Sequence, residues 1–358
     1  MSRKSSKRWR SNRKNNNRPA EKEAFPSVPP SLERPPRTDM EAHVVHLDSA
    51  MYPAVDTVLT AMRFEMEKKH SLETLHLMMT RTHLLMAMCS THRSIRKLVT
   101  GTDEDEWELS VDALPLTRVQ LERCFLCLLL ADNPVRWHKR YCKNAWKAFA
   151  EKFFRDRAAL GSFPQFQDYF GSSGTGIQAL RAFARQMYVW EDELQTFRAE
   201  LLGEEMDARW EKRYIADMPT PGRAVGLLRD VGRKKLASLL YPYYDTLSHF
   251  SHGGLVGAME AAILRPDAAP AAENFDRRAF WTSSVLEMTL PLSYVAILAV
   301  ATLFTTDLPD ADDVRNVLRT AWQPYHSDGS ALGVAVWDSY AAEALQPRNP
   351  SPKTNEQR

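Results

Sequence analysis

The stretch MTLPLSYVAILAVATLFTT, Met288 to Thr306, runs for 19 residues without a charge and decides what kind of protein this is. Its length is about that needed to cross a bilayer as a helix, and an all-round apolar helix occurs either in a membrane or inside a helical core. The flanks separate the two settings. The nearest charges, Glu287 and Asp307, are both acidic, and no Lys or Arg anchors either end. Thr289, Ser293 and Tyr294 dilute the run further. The segment reads as a buried core helix, and a membrane-associated effector using residues 288–306 is the lesser alternative.

Around it the chain is helical throughout. Ser71 is placed to cap a helix in which Leu72, Leu75, Met79, Leu85 and Met86 recur at near-helical spacings, up to Gly101. Pro115 suits the first turn of a helix over Leu116 to Ala131, closed by Asn133 and Pro134, and a second helix spans Val135 to Leu160. Further segments follow at Ile177 to Leu202, Glu204 to Ile215, Arg223 to His252 before Gly253 and Gly254, Arg277 to Phe304 and Asp310 to Trp322. Pro242 is expected to kink or divide the segment that contains it. The acidic run Asp103 to Glu108 reads as a loop. No alternating strand pattern and no repeat of fixed period emerges, so the fold class is all-α, a multi-helix bundle. Two helical halves, 41–170 and 177–340, pack together across the flexible GSSGTG of Gly171 to Gly176, and 346–358 is a polar tail.

Charge is divided along the chain. Residues 1–37 carry 11 Lys and Arg against 3 acidic residues, a net of +8; the remaining 36 basic and 42 acidic residues leave the body at −6. The first 40 residues combine Arg, Lys, Asn and Ser with Pro26, Pro29, Pro30, Pro35 and Pro36, too little apolar surface to offset chain entropy. They read as a disordered basic arm, whose Arg8 and Arg10 are candidates for binding nucleic acid or another anionic surface. No apolar stretch follows the initial positive run, so secretion is not expected. Four cysteines in apolar sequence fit a reducing cytoplasm better than a disulfide framework.

The segment richest in chemistry is YPYYDTLSHFSH, Tyr241 to His252. On a helix Tyr244, Ser248 and His252 fall at i, i+4 and i+8 on one face, where imidazole, hydroxyl and phenol could serve acid–base chemistry or form a polar seam in a bundle. Arg118 and Glu122 are spaced i, i+4 on a helix whose continuation is wholly apolar, so the guanidinium needs a partner. A third group, Arg136, Arg140, Lys143 and Lys147, makes one basic stripe that could track phosphates, with Trp137 and Tyr141 available to stack on bases; the alternative is a solvated face with core aromatics.

An Arg-x-x-x-Glu helix followed much later by a Tyr-x-x-Leu-Ser-x-x-x-His helix resembles a bacterial all-helical domain family catalogued only as being of unknown function. The matching positions are Arg118, Glu122, Tyr244, Leu247, Ser248 and His252, and the likeness covers about residues 50–305. That family is in turn similar to the HEPN superfamily, helical bundles that include metal-independent ribonucleases of toxin and antiphage systems. The resemblance implies Arg118 holding phosphate and His252 acting on the ribose 2′-hydroxyl. HEPN nucleases place the Arg four to six residues before the His, whereas here no Arg lies within six residues upstream of His249 or His252. Arg118 would have to reach His252 through the fold.

Cys124, Cys127, His138 and Cys142 follow a CxxC, ten residues, HxxxC pattern close to zinc-knuckle spacing. In ERCFLCLLL, however, the CxxC thiols project from an apolar helix, so they read as buried free cysteines. His76 and His83 share a face without a nearby carboxylate, and no metal set or cofactor is assigned. No GxxxxGK[ST], GxGxxG or GxSxG motif occurs. The expectation is a HEPN-like helical protein acting on RNA. The alternative is a helical binding or scaffold module whose arm engages nucleic acid or a protein partner, and a homo-oligomer is a further partner expectation.

Overall fold

The computed structural model describes residues 37–100, 109–171, 174–187, 216–251, 285–308, 311–327 and 331–346, with side chains from residue 46 onward. Among them the secondary structure is helical, and no strand is present. The chain divides between His43 and Val44, and residues 44–358 make one compact unit. The helices of the described residues are α1 (Arg37–Met66), α2 (Leu72–Thr100), α3 (Ala113–Asp132), α4 (Pro134–Leu160), α5 (Gln167–Phe170), α6 (Thr175–Gln186), α7 (Pro221–Leu227), α8 (Val231–Ser251), α9 (Glu287–Thr305), α10 (Asp312–Ser327), α11 (Ala331–Val336) and α12 (Ala342–Ala344).

Local chemistry sets the helix starts. Ser71 Oγ accepts from the Thr74 amide at 3.2 Å, the N-cap of α2. Asn133 Oδ1 accepts from the Arg136 amide at 3.1 Å, and Pro134 occupies the first position of α4, where its missing N–H costs nothing. Asp230 Oδ1 takes the Arg233 amide at 2.8 Å to begin α8. The single segment expected over Arg223 to His252 is therefore two helices, because Leu228 turns extended and Asp230 restarts the chain. Asp132, at the end of α3, accepts the Arg229 and Asp230 amides at 3.0 Å each and pins that break to the core. Pro242 neither divides nor ends α8, which runs through it to Ser251. Residues 37–40, assigned to the arm, open α1 instead; residues 1–36, with Arg8 and Arg10, lie outside the described residues.

Helices α3 and α9 form the centre. α9 packs on α3, α2 and α10, while α3 also packs on α2, α4, α7 and α8. α9 is the one helix among the described residues long and apolar enough to cross a membrane, and 89 % of its apolar window is buried by the rest of the chain. It is a core helix, as its acidic flanks suggested. Every residue from Leu292 to Thr305 is buried, and each large apolar side chain there contributes roughly 1.5–3 kcal/mol of transfer free energy.

A satellite core lies between α4 and α6, where Trp146, Ala150 and Phe153 meet Phe170, Ile177, Leu180 and Ala184. Trp146 Nε1 donates to the Leu180 carbonyl at 3.1 Å. Gly176 serves this contact: a Cβ there would sit 2.5 Å from the Phe153 ring and 2.8 Å from the Tyr169 carbonyl oxygen. The GSSGTG stretch thus runs into the first turn of α6 rather than ending before it.

One buried carboxylate ties three of these helices together. Asp48 of α1 accepts from Arg96 and from the Tyr294 hydroxyl, and its Oδ1 lies 3.1 Å from His92 Nε2. His92 Nδ1 is 2.9 Å from Ser293 Oγ, which also receives Gln120 Nε2 of α3 at 3.1 Å. Burial raises the Asp48 pKa, but hydrogen bonds from His92 and Tyr294 and the charges of His92 and Arg96 outweigh it and hold the carboxyl below its ordinary value. Replacing Asp48 with Ala strands those partners and should cost about 3–5 kcal/mol by urea denaturation near neutral pH. Because the folded pKa is depressed, the stabilisation is present above the unfolded value of about 4 and is lost as pH falls through the folded one. The gap between wild type and Asp48→Ala should accordingly narrow in acid; a gap independent of pH would remove Asp48 from this role.

Candidate functional site

Tyr244 of α8 lies against Arg118 and Glu122 of α3, positions 126 and 122 residues away in the chain. α3 brings the last two to one face by their i, i+4 spacing, and the α3–α8 packing supplies the tyrosine. Arg118 Nη2 donates to the Tyr244 hydroxyl oxygen at 3.4 Å, that hydroxyl donates to Glu122 Oε1 at 3.3 Å, and Arg118 Nη2 is 3.1 Å from the same carboxylate oxygen. The guanidinium also sits over the Tyr244 ring, 5.5 Å from its centroid. Phe125 packs edge-on to Tyr244 and Tyr241 stacks beside it. Gly222 makes room for Tyr241, since a Cβ there would lie 2.8 Å from the Tyr241 hydroxyl.

The seam is open to solvent in part. The Arg118 and Glu122 side chains are 20 % and 40 % exposed, and Arg118 Nε is buried without a hydrogen-bond partner among the described residues. A guanidinium and a carboxylate that are partly open to solvent, with a phenol within 3.5 Å of both, can bind an anion and hold a proton donor beside it. Ser248 is on the same helix, but its hydroxyl donates to the Tyr244 carbonyl at 2.8 Å and is spent on backbone. His252 lies outside the described residues.

The basic stripe of α4 does not stand as a solvated row. Lys147 is buried along its stem and its Nζ donates to the exposed Asp217 at 2.6 Å, so its charge is paired. Arg140 donates to the backbone carbonyls of Ala216 and Asp217. Trp137 is 2 % exposed beneath the guanidinium groups of Arg136 and Arg140, which closes its faces to a nucleobase. Arg136 is exposed and Lys143 is half-buried. The spacing was right for one helical face, but that face is partly covered by residues 216–218.

Two constellations escaped the sequence reading. Ser293, His92 and Asp48 form a Ser–His–Asp series at 2.9 and 3.1 Å, yet serine and histidine are fully buried and Ser293 sits within the core helix α9. A nucleophile must be reachable, so the series is structural. The available signal was the pair Ser293 and Tyr294 inside an otherwise apolar run, since buried polar groups demand partners. The second is His76 of α2 beside His138 and Cys142 of α4. The HxxxC half was visible in the sequence, and His76 joins it through helix packing rather than pairing with His83. Cys124 and Cys127 point into dry core, where burial pushes the Cys124 thiol up to about 12 and that of Cys127 higher still.

Comparison with protein-family models, curated proteins and solved structures finds no match to this chain.

The partly exposed Arg118–Glu122–Tyr244 triangle should behave as a coupled unit of modest strength. A double-mutant cycle with Arg118→Ala and Tyr244→Phe, read by urea denaturation, is expected to give a coupling of about 0.5–1 kcal/mol. Strict additivity would mean that the three side chains do not act together in solution.

Proposed function

We propose that this protein acts on RNA at the Arg118–Glu122–Tyr244 seam, as a HEPN-like metal-independent ribonuclease in a toxin or antiphage setting. The observation that supports it is the meeting of Arg118 with Tyr244 between α3 and α8, since the two motifs carrying the HEPN-like resemblance converge there. In this reading Arg118 pairs with a non-bridging phosphate oxygen, and substrate displaces the Glu122 contact. His252 takes the proton of the ribose 2′-hydroxyl; the 2′-oxygen then bonds to phosphorus as the P–O5′ bond breaks, the leaving oxygen takes a proton from solvent, and His252 returns its proton to solvent. No oxidant or metal enters that balance. Purified protein should cleave single-stranded RNA in the presence of EDTA, leaving cyclic phosphate ends. His252→Ala and Arg118→Ala should each lower the rate by roughly 100-fold or more. Wild-type protein inert on RNA, or variants as active as wild type, would refute the assignment.

A second reading draws on the committed state of the polar groups. Ser248 is spent on backbone, Lys147 on Asp217 and Arg140 on carbonyls, as expected of a helical binding module whose seam is structural. The basic arm would then supply the affinity for nucleic acid. Removing residues 1–36 should weaken binding of a single-stranded oligonucleotide and flatten its dependence on salt, because fewer counterions are released. Unchanged affinity and salt slope would exclude the arm.

A further inference from the structure

His76, His138 and Cys142 stand apart from the seam and have no part in the proposed reaction. Their ligand atoms, one from each residue, all lie within 4.8 Å of one another. The His76 and His138 rings meet edge to face with centroids 5.0 Å apart, and Cys142 Sγ is 3.5 Å from His138 Nε2. A tetrahedral ion with Zn–N of about 2.0 Å and Zn–S of about 2.3 Å would set that N···S separation at about 3.5 Å and an N···N separation at about 3.3 Å. One edge of the triangle therefore already has the spacing of a bound ion. The rest needs a closing of up to about 1.5 Å, which the half-buried His76 ring can supply by rotation about its side-chain bonds.

The surroundings favour the same chemistry. His138 and Cys142 are held at i, i+4 on α4; Thr80, whose hydroxyl donates to the His76 carbonyl at 2.9 Å, lies 3.2 Å from His138 Nε2 and gives up that contact when a metal takes the nitrogen. Burial, with His76 and Arg81 nearby, lowers the His138 pKa to about 4. His138 also lines a cavity of about 170 Å³ between the beginnings of α2 and α4, with Glu73, Pro134 and Lys139 in its wall.

We propose that His76, His138 and Cys142 form a three-ligand site for a borderline-soft transition-metal ion, Zn²⁺ first, clamping α2 to α4 and leaving a fourth position for water from the adjoining cavity. Two imidazoles and a thiolate suit Zn²⁺ over Mg²⁺ or Ca²⁺, which prefer oxygen. Binding replaces the S–H proton of Cys142 with the metal and releases one proton to solvent.

The probe is Co²⁺, then Zn²⁺, added to full-length untagged protein freed of metal by chelation. One equivalent of Co²⁺ should produce a thiolate-to-cobalt charge-transfer band with the ligand-field absorption of a tetrahedral ion, and Zn²⁺ should bleach both. Cys142→Ser should abolish the charge-transfer band while Cys89→Ser retains it. His76→Gln, at a half-exposed position that does not endanger folding, should weaken Zn²⁺ binding beyond the ~10–100-fold that loss of an outer hydrogen-bond partner costs. Absence of the band, its survival in Cys142→Ser or undiminished affinity in His76→Gln would each overturn the site. None of these readouts uses RNA cleavage, so the result stands apart from the ribonuclease assignment.

Discussion

The Asp48 carboxylate is the point on which the helical arrangement turns. A buried negative charge is costly unless it is paired and hydrogen-bonded, and here His92 and Arg96 of α2 and Tyr294 of α9 all converge on it. Ser293 extends the chain of contacts to Gln120 of α3, whose amide also reaches the Met88 carbonyl at 3.0 Å. Apolar burial on α9 would be satisfied by many rotations of a nearly featureless cylinder. The polar contacts accept few of them, so α9 is held in rotation as well as in depth. Arg123 adds a similar fix between α3 and α2, donating to the Ala87 carbonyl and to Thr91.

With α3 held on one side by α2 and α9, its opposite side is left to α8, and there the polar groups are not sealed. The two sites differ in kind. At Asp48 the carboxylate, His92 and Ser293 are buried and only Arg96 reaches solvent, so these groups serve packing; at the seam both Arg118 and Glu122 are partly exposed, so they can exchange a partner for a ligand. That difference in access, rather than the identity of the residues, makes Arg118 and Tyr244 the candidates and Ser293 and His92 the framework. The His76, His138 and Cys142 group lies between these extremes, with a cavity at its edge.

Much of the fold was legible because helix starts and stops are local. Ser71, Asn133 and Pro134 act on amides within four residues, and the boundaries of α2, α3 and α4 fall within a few residues of where those signals put them. The nature of α9 followed from its flanks, since acidic neighbours without Lys or Arg are poor membrane anchors. The break between α7 and α8 was also local, at Asp230, and went unread because apolar residues continue on either side. The fate of Lys147 was not legible at all: a lysine on a basic helical row looks solvated until the segment 216–218 is laid across it.

The sequence alone determined that this is a helical protein with a charge-free core helix, a basic beginning and an acidic body, because periodicity, capping and composition act over a few residues. Only the tertiary structure decided which polar side chains meet. Arg118 finds Tyr244, His92 finds Asp48, and His76 finds Cys142 across helices whose relative rotation is set by packing. A one-dimensional pattern records which residues share a helical face, but not which face of another helix it will touch.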